Sequence, residues 1–134
     1  MAFEEKKVAE VMSRSLYTVS MDASFEEILQ TMIESRVSAV IVLAPNGEFM
    51  GIVSKTDILS ALKKYGAQVF SKNAEDLLCP KPYTIEGNAT IKEAAQKMLA
   101  HKVHRLLVVS PSAIGRYMPV GIISATDILK EVAF

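Results

Sequence analysis

Apolar residues fall at helical spacing twice along the chain. Phe25, Ile28, Leu29, Met32 and Ile33 stand at i, i+3, i+4, i+7 and i+8, and Ile91, Ala94, Ala95, Met98 and Leu99 repeat the stripe. Each stripe predicts an amphipathic helix with one face on a core. Ser24-x-x-Glu27 and Thr90-x-x-Glu93 stand just ahead of them. In this capping-box pattern the hydroxyl accepts from the amide three residues on, and the glutamate reaches back to the first amide. After each helix the pattern changes to short, nearly continuous apolar runs, 37–43 and 103–109. Such runs are expected of strands covered on both faces. Pro45-Asn46-Gly47 supplies a turn into a second, hairpin-paired strand at 49–53. Short strands are predicted at 17–20 and 83–86, each behind a short amphipathic lead-in carrying Val8, Val11 and Met12, or Leu77 and Leu78. Short closing helices carry Ile58, Leu59 and Leu62, and Ile128, Leu129 and Val132.

These patterns coincide because the chain is one unit written twice. Gly51-Ile52-Val53-Ser54-Lys55-Thr56-Asp57-Ile58-Leu59 returns as Gly121-Ile122-Ile123-Ser124-Ala125-Thr126-Asp127-Ile128-Leu129, identical at seven of nine positions and offset by 70 residues. Thr18-Val19 and Val37 match Thr84-Ile85 and Val103 at an offset of 66, so the second copy's loop at 110–120 is four residues longer. Insertions belong in loops, which supports the element assignment. The copies run over 7–63 and 74–133, and the connector 63–73 has no low-complexity character, so residues 1–134 are expected to fold as one module.

Composition narrows the class. Half of the 134 residues are apolar, enough for a core. Lys plus Arg equals Asp plus Glu at fifteen each, so no net field attracts nucleic acid or an anionic membrane. The single cysteine, Cys79, allows no internal disulfide and fits a reducing compartment. The N-terminus mixes charges of both signs, and the longest mostly apolar run, 37–45, is too short to span a bilayer. The expected protein is soluble, cytoplasmic and compact, with neither nucleic acid nor membrane as partner.

The polar chemistry gathers in the signature. Ser54, Thr56 and Asp57, and again Ser124, Thr126 and Asp127, place hydroxyls and a carboxylate at the start of a helix. An aspartate accepts from two sugar hydroxyls, while hydroxyls and unpaired first-turn amides suit phosphate. The plainer reading makes Asp57 and Asp127 helix N-caps. His101 reads as a helix C-terminal residue favoured by the dipole, Cys79 as a structural thiol, and the methionines as core. His104 and Arg105 read either as phosphate contacts or as a solvent-facing strand edge. There is no Gly-x-Gly-x-x-Gly or Walker loop, no nucleophile–base pattern and no metal-ligand spacing. No enzymatic activity, catalytic residue, metal or required cofactor is therefore expected.

Lead-in helix, strand, capped helix, strand, strand and short helix, closing on Gly-Ile-Val/Ile-Ser-x-Thr-Asp-Ile-Leu, resembles the cystathionine β-synthase (CBS) domain. Two copies resemble a CBS pair, over nearly the whole chain. The resemblance implies an α/β (α+β) fold in which two α-β-α-β-β-α repeats join through their sheets about a pseudo-two-fold axis. The cleft so formed would bind an adenine nucleotide (AMP, ADP or ATP), or less often S-adenosylmethionine. With nothing attached, the chain resembles a stand-alone member that regulates a partner protein and forms a homodimer. By matching position, one site would combine Ser124, Thr126 and Asp127 with Met12, Ser15, Tyr17, Val37, Ser38 and Ala39. The other would combine Ser54, Thr56 and Asp57 with Leu78, Lys81, Tyr83, Val103 and His104. Val103-His104-Arg105-Leu106 resembles the His-Arg-Leu strand start that faces phosphates in nucleotide-sensing members, whereas the first copy has Ser38-Ala39 there and Lys55 inside its signature. Unequal sites are expected, with His104, Arg105 and either Lys55 or Lys81 meeting phosphates. The alternative is a dimeric interaction scaffold with an empty cleft.

Overall fold

The computed structural model of the chain describes residues 3–80, 83–111 and 117–133. In the first copy the elements are α1 (Val8–Val11), β1 (Thr18–Ser20), α2 (Phe25–Ser35), β2 (Ala39–Leu43), β3 (Phe49–Ser54) and α3 (Lys55–Tyr65). In the second they are α4 (Ala74–Leu77), β4 (Thr84–Glu86), α5 (Ile91–His101), β5 (Arg105–Pro111), β6 (Tyr117–Ser124) and α6 (Ala125–Ala133). The result is a mixed α/β fold with two three-stranded sheets, ordered β1-β2-β3 and β4-β5-β6. In each sheet the first strand pairs parallel to the second and the second antiparallel to the third. Register slips by one residue between Val42 and Leu43 and between Val108 and Val109, so even the bulge is duplicated.

Sequence copy and compact unit do not coincide. One unit takes the residues up to Leu16 together with those from Tyr83 onward; the other takes the residues between. The lead-ins are therefore exchanged. Ser13 trades backbone hydrogen bonds of 2.9 and 3.0 Å with Ile122 on β6, and Cys79 trades bonds of 2.8 and 3.2 Å with Ile52 on β3. Each lead-in thus adds a bridge to the third strand of the other copy's sheet. Lys6 Nζ reinforces the first exchange with a 2.8 Å hydrogen bond to Glu131 on α6. The signature glycines make room for these crossings. A Cβ built on Gly51 would stand 2.3 Å from the Cys79 carbonyl oxygen, and one on Gly121 would stand 2.7 Å from that of Ser13.

Each unit has its own core. One is built on Phe25, Ile28, Met32, Val40, Val42 and Val53; the other on Val8, Ile91, Ala94, Met98, Leu106 and Ile123. The first four residues of β2, Ala39 to Val42, are all buried, as its unbroken apolar pattern requires. The connector is part of the structure. After α3 the chain forms a 3-10 segment, Gly66–Ser71, in which Val69 is fully buried and Phe70 meets Phe25 edge-on at 5.5 Å.

Three expectations need correction. The helical stripes are only partly buried: Ile33 is 72% and Leu99 80% exposed, at the angular edge of stripes whose middle residues, Ile28 and Met32 or Ala94 and Met98, are buried. Leu59, Leu62, Leu129 and Val132 on the closing helices are exposed as well. The capping box at Ser24 is half formed: the Glu27 amide donates to Ser24 Oγ at 3.1 Å, with no return bond. At Thr90 both halves are present.

Candidate functional site

The duplicated corners form because each third strand ends in a serine that caps the helix after it. Ser54 Oγ accepts from the Asp57 amide at 3.3 Å, and Asp57 Oδ2 accepts from the Ser54 amide at 2.7 Å and from its hydroxyl at 2.8 Å. Ser124 and Asp127 repeat the reciprocal pair at 3.1 and 2.8 Å. The aspartates are therefore not N-caps, as the plainer sequence reading had them. The serines take that place, and each aspartate is the third residue of its helix.

This division of labour leaves defined groups unused. All the carboxylate bonds of Asp57 and Asp127 fall on Oδ2. Among the described residues Oδ1 of each accepts no hydrogen bond, and an ionised carboxylate oxygen can accept two. The first-turn amides are less open than the sequence implied. Lys55 N donates to the Ser38 carbonyl at 3.0 Å and Ala125 N to that of His104 at 2.8 Å. The Asp57 and Asp127 amides are taken by the serine hydroxyls. The amides of Thr56 and Thr126 remain, beside their own exposed hydroxyls.

Within each unit the corner lies against its own copy's second strand. Ala39 is register-paired with Ser54, and Arg105 with Ser124. His104 is exposed and precedes β5; Arg105 is the strand's first residue and half-buried. The run expected at 103–109 thus starts two residues later, which puts the His104 side chain outside the sheet. Val37 and Ser38 likewise precede β2, both half-buried, while Ala39 is buried.

The remaining predicted residues fall as follows. Met12 lies against Gly121, where an added Cβ would meet its sulfur at 2.6 Å, and Ser15 is exposed just beyond. Leu78 holds the matching place at Gly51, with Cδ1 3.0 Å from an added Cβ. Tyr17 and Tyr83 are 40% and 43% exposed, and their carbonyls accept from Ile41 at 2.9 Å and Leu107 at 3.0 Å. Lys81 lies outside the described residues. The unit containing Ser124, Thr126 and Asp127 also holds Met12, Ser15, Tyr83, Val103, His104 and Arg105. The other holds Ser54, Thr56 and Asp57 with Tyr17, Val37, Ser38, Ala39 and Leu78. Each set grouped by the resemblance draws on both units.

Sequence reasoning missed the exchange of lead-ins and the serine–aspartate boxes. The latter had a readable signal, since Ser-x-x-Asp immediately before an apolar helix is a variant of the capping pattern. Among the described residues no three His, Cys, Asp or Glu side chains are placed to hold a metal ion, and no helix is long and apolar enough to cross a membrane.

Comparison with known proteins places this architecture. The family model of the CBS domain matches residues 8–64 and again 74–134. A probable arabinose 5-phosphate isomerase of Haemophilus influenzae is 33% identical over 104 residues, which are 78% of this chain and 31% of that protein. The chain thus spans about a third of the length of that curated relative. A CBS-domain containing protein of Agrobacterium tumefaciens superposes with a TM-score of 0.84 at 22% identity, covering 98% of this chain and 97% of the other. CBSX2, solved in complex with AMP, superposes with a TM-score of 0.75 at 26% identity, covering 96% of each chain. By sequence and by fold, the chain belongs to the CBS-domain family and carries the domain twice.

Proposed function

We propose that the chain is a non-catalytic regulatory module that binds an adenine nucleotide through its two serine–threonine–aspartate corners and signals its occupancy to a partner protein. The observation that carries this reading is the split use of each aspartate: Oδ2 fastens the helix start, and Oδ1 is left to accept from ribose hydroxyls. The Thr56 and Thr126 amides and hydroxyls, at the positive end of a helix dipole, supply donors for phosphate. His104 and Arg105 add positive or polar groups to one copy only, so the two sets differ in phosphate preference. The AMP complex of the similar CBSX2 supports the ligand class. S-adenosylmethionine is the competing adenosyl ligand. A lone thiol accords with a reducing, cytoplasmic setting.

Thermal shift with AMP, ADP, ATP and S-adenosylmethionine tests the proposal, because a ligand that prefers the native state raises stability by RT ln(1 + [L]/Kd). A rise with at least one of the adenine nucleotides is expected. No shift with any of the four at millimolar concentration overturns it.

A second reading rests on a separate observation. Ile33, Leu59 and Leu62 in one copy, and Leu99, Leu129 and Val132 in the other, leave helix faces apolar and exposed. Such faces mark protein contacts, here those of a homodimer acting as a scaffold. Size-exclusion chromatography with and without nucleotide separates the readings: a dimer indifferent to nucleotide favours the scaffold.

A further inference from the structure

A groove of about 470 Å³ runs between α2 and α3, wholly within one compact unit. Met32 and Ile58, both buried, form its floor; Ile33 and Leu59, both exposed, form its sides. Along α2 the lining runs from Leu29 to Arg36, about 10 Å of helix. Two cations stand at one end. Arg36 caps the C-terminus of α2, and Lys55 is the first residue of α3. The Lys55 amide donates to the Ser38 carbonyl at 3.0 Å, which brings the start of α3 beside the end of α2. Both side chains line the groove, and among the described residues neither is in an ion pair. Among the described residues no carboxylate lines it either.

We infer that this groove is a second binding site, for a small amphipathic anion: an alkyl chain along α2 and α3, with its carboxylate between Arg36 and Lys55. The volume is that of a small-molecule site, and an apolar trough with polar groups gathered at one end is the usual form of one. Local structure alone does not account for the two cations. Arg36 stands at φ 55°, where its side chain is strained and glycine is not. Lys55 stands in the first turn of a helix, where the dipole disfavours positive charge. An anion between them offsets both costs. A second copy of the chain fits less well: a two-fold contact between two such grooves would oppose like charges. The matching positions of the second copy keep Lys102 but have Ala125 for Lys55 and Ala95 for Leu29, so the site belongs to the first copy. It is separate from the nucleotide reading and does not depend on it.

The test is calorimetric titration of the full chain with decanoate and with decylammonium, both below the concentration at which they form micelles. Decanoate is expected to bind saturably, one per chain, and to shift the methyl resonances of Ile33, Ile58 and Leu59. Decylammonium has the same tail and the opposite charge, and is expected not to bind. Arg36→Gly removes one cation while relieving the strained backbone, and Lys55→Ala gives the first copy the residue that the second copy has. Each is expected to weaken decanoate about tenfold, the equivalent of a charged hydrogen bond. A chain that melts no earlier than the native protein but binds less decanoate has lost a contact and not its fold. Equal binding of the two amphiphiles overturns the inference, since the apolar face then acts without the cations. So does unaltered affinity in both variants, or a shift of the Leu99 and Leu129 methyls in place of the named three. Absence of saturable binding also overturns it. If light scattering then shows a dimer, a second copy covers the face; if it shows a monomer, the face is left to a different protein.

Discussion

At the scale of single residues, the signature is explained by where one atom can and cannot be added. Gly51→Ala would drive a methyl group into the Cys79 carbonyl, a backbone atom that cannot swing aside. Chemical denaturation should show a loss of about 1–3 kcal/mol, the usual cost of overpacking. Arg36 and Lys102 pose the opposite case. Both end their helices at positive φ, 55° and 56°, where a side chain is strained and glycine is not. Arg36→Gly and Lys102→Gly should each raise stability by about 0.5–1 kcal/mol in the same assay, the relieved strain exceeding the entropy that glycine adds to the unfolded chain. At Asp127 two roles can be separated. Asp127→Asn keeps an oxygen to accept from Ser124 but loses the charge; it should hold most of the stability while weakening AMP by about 1.5–3 kcal/mol, the strength of a charged hydrogen bond. Asp127→Ala should lose the cap and the binding at its own corner together. An Asn variant that binds AMP as tightly as the native chain would refute the ribose role. The signature's glycine, serine and aspartate were all legible in the sequence. Which atoms crowd the glycine was not, because the crossing segment comes from the other copy.

At the scale of elements, local chemistry fixed most of what could be read. Periodicity located both long helices, and unbroken apolar runs located the buried strands, because 3.6-residue and two-residue repeats report directly on the side-chain directions of each element. Boundaries moved by a residue or two at β2 and β5, where Ser38 and His104 turn their carbonyls to the next helix's first amide. The connector was the least legible element. Nothing in its composition announces that Val69 fills the core beneath α2 and α3, since a 3-10 segment has no long periodic signature. Val69→Ala should cost roughly 2 kcal/mol, two lost methyl groups plus a cavity term, measured by the shift in the urea midpoint. A change near zero would show that the segment rests on the surface.

At the scale of the whole molecule, apolar helix faces and exchanged lead-ins both concern what the chain needs beyond itself. If the exposed stripe on α2 and α3 is covered by a second copy, Ile33→Glu should convert a dimer to a monomer in size-exclusion chromatography with light scattering, without lowering the monomer's own stability. A native chain already monomeric at high concentration would rule that out. The traded lead-ins reach further. A fragment cut at the sequence repeat, 7–63, carries a first turn whose docking strand it lacks, and lacks the turn that its own third strand receives. A fragment cut at the spatial boundary, Tyr17–Pro82, keeps its strand and its turn together. The second should melt cooperatively by circular dichroism and the first should not, until the complementary half is mixed in. With the opening turns traded, removing either sequence copy takes from the survivor a segment that its own sheet binds, so the repeat is not a pair of interchangeable parts.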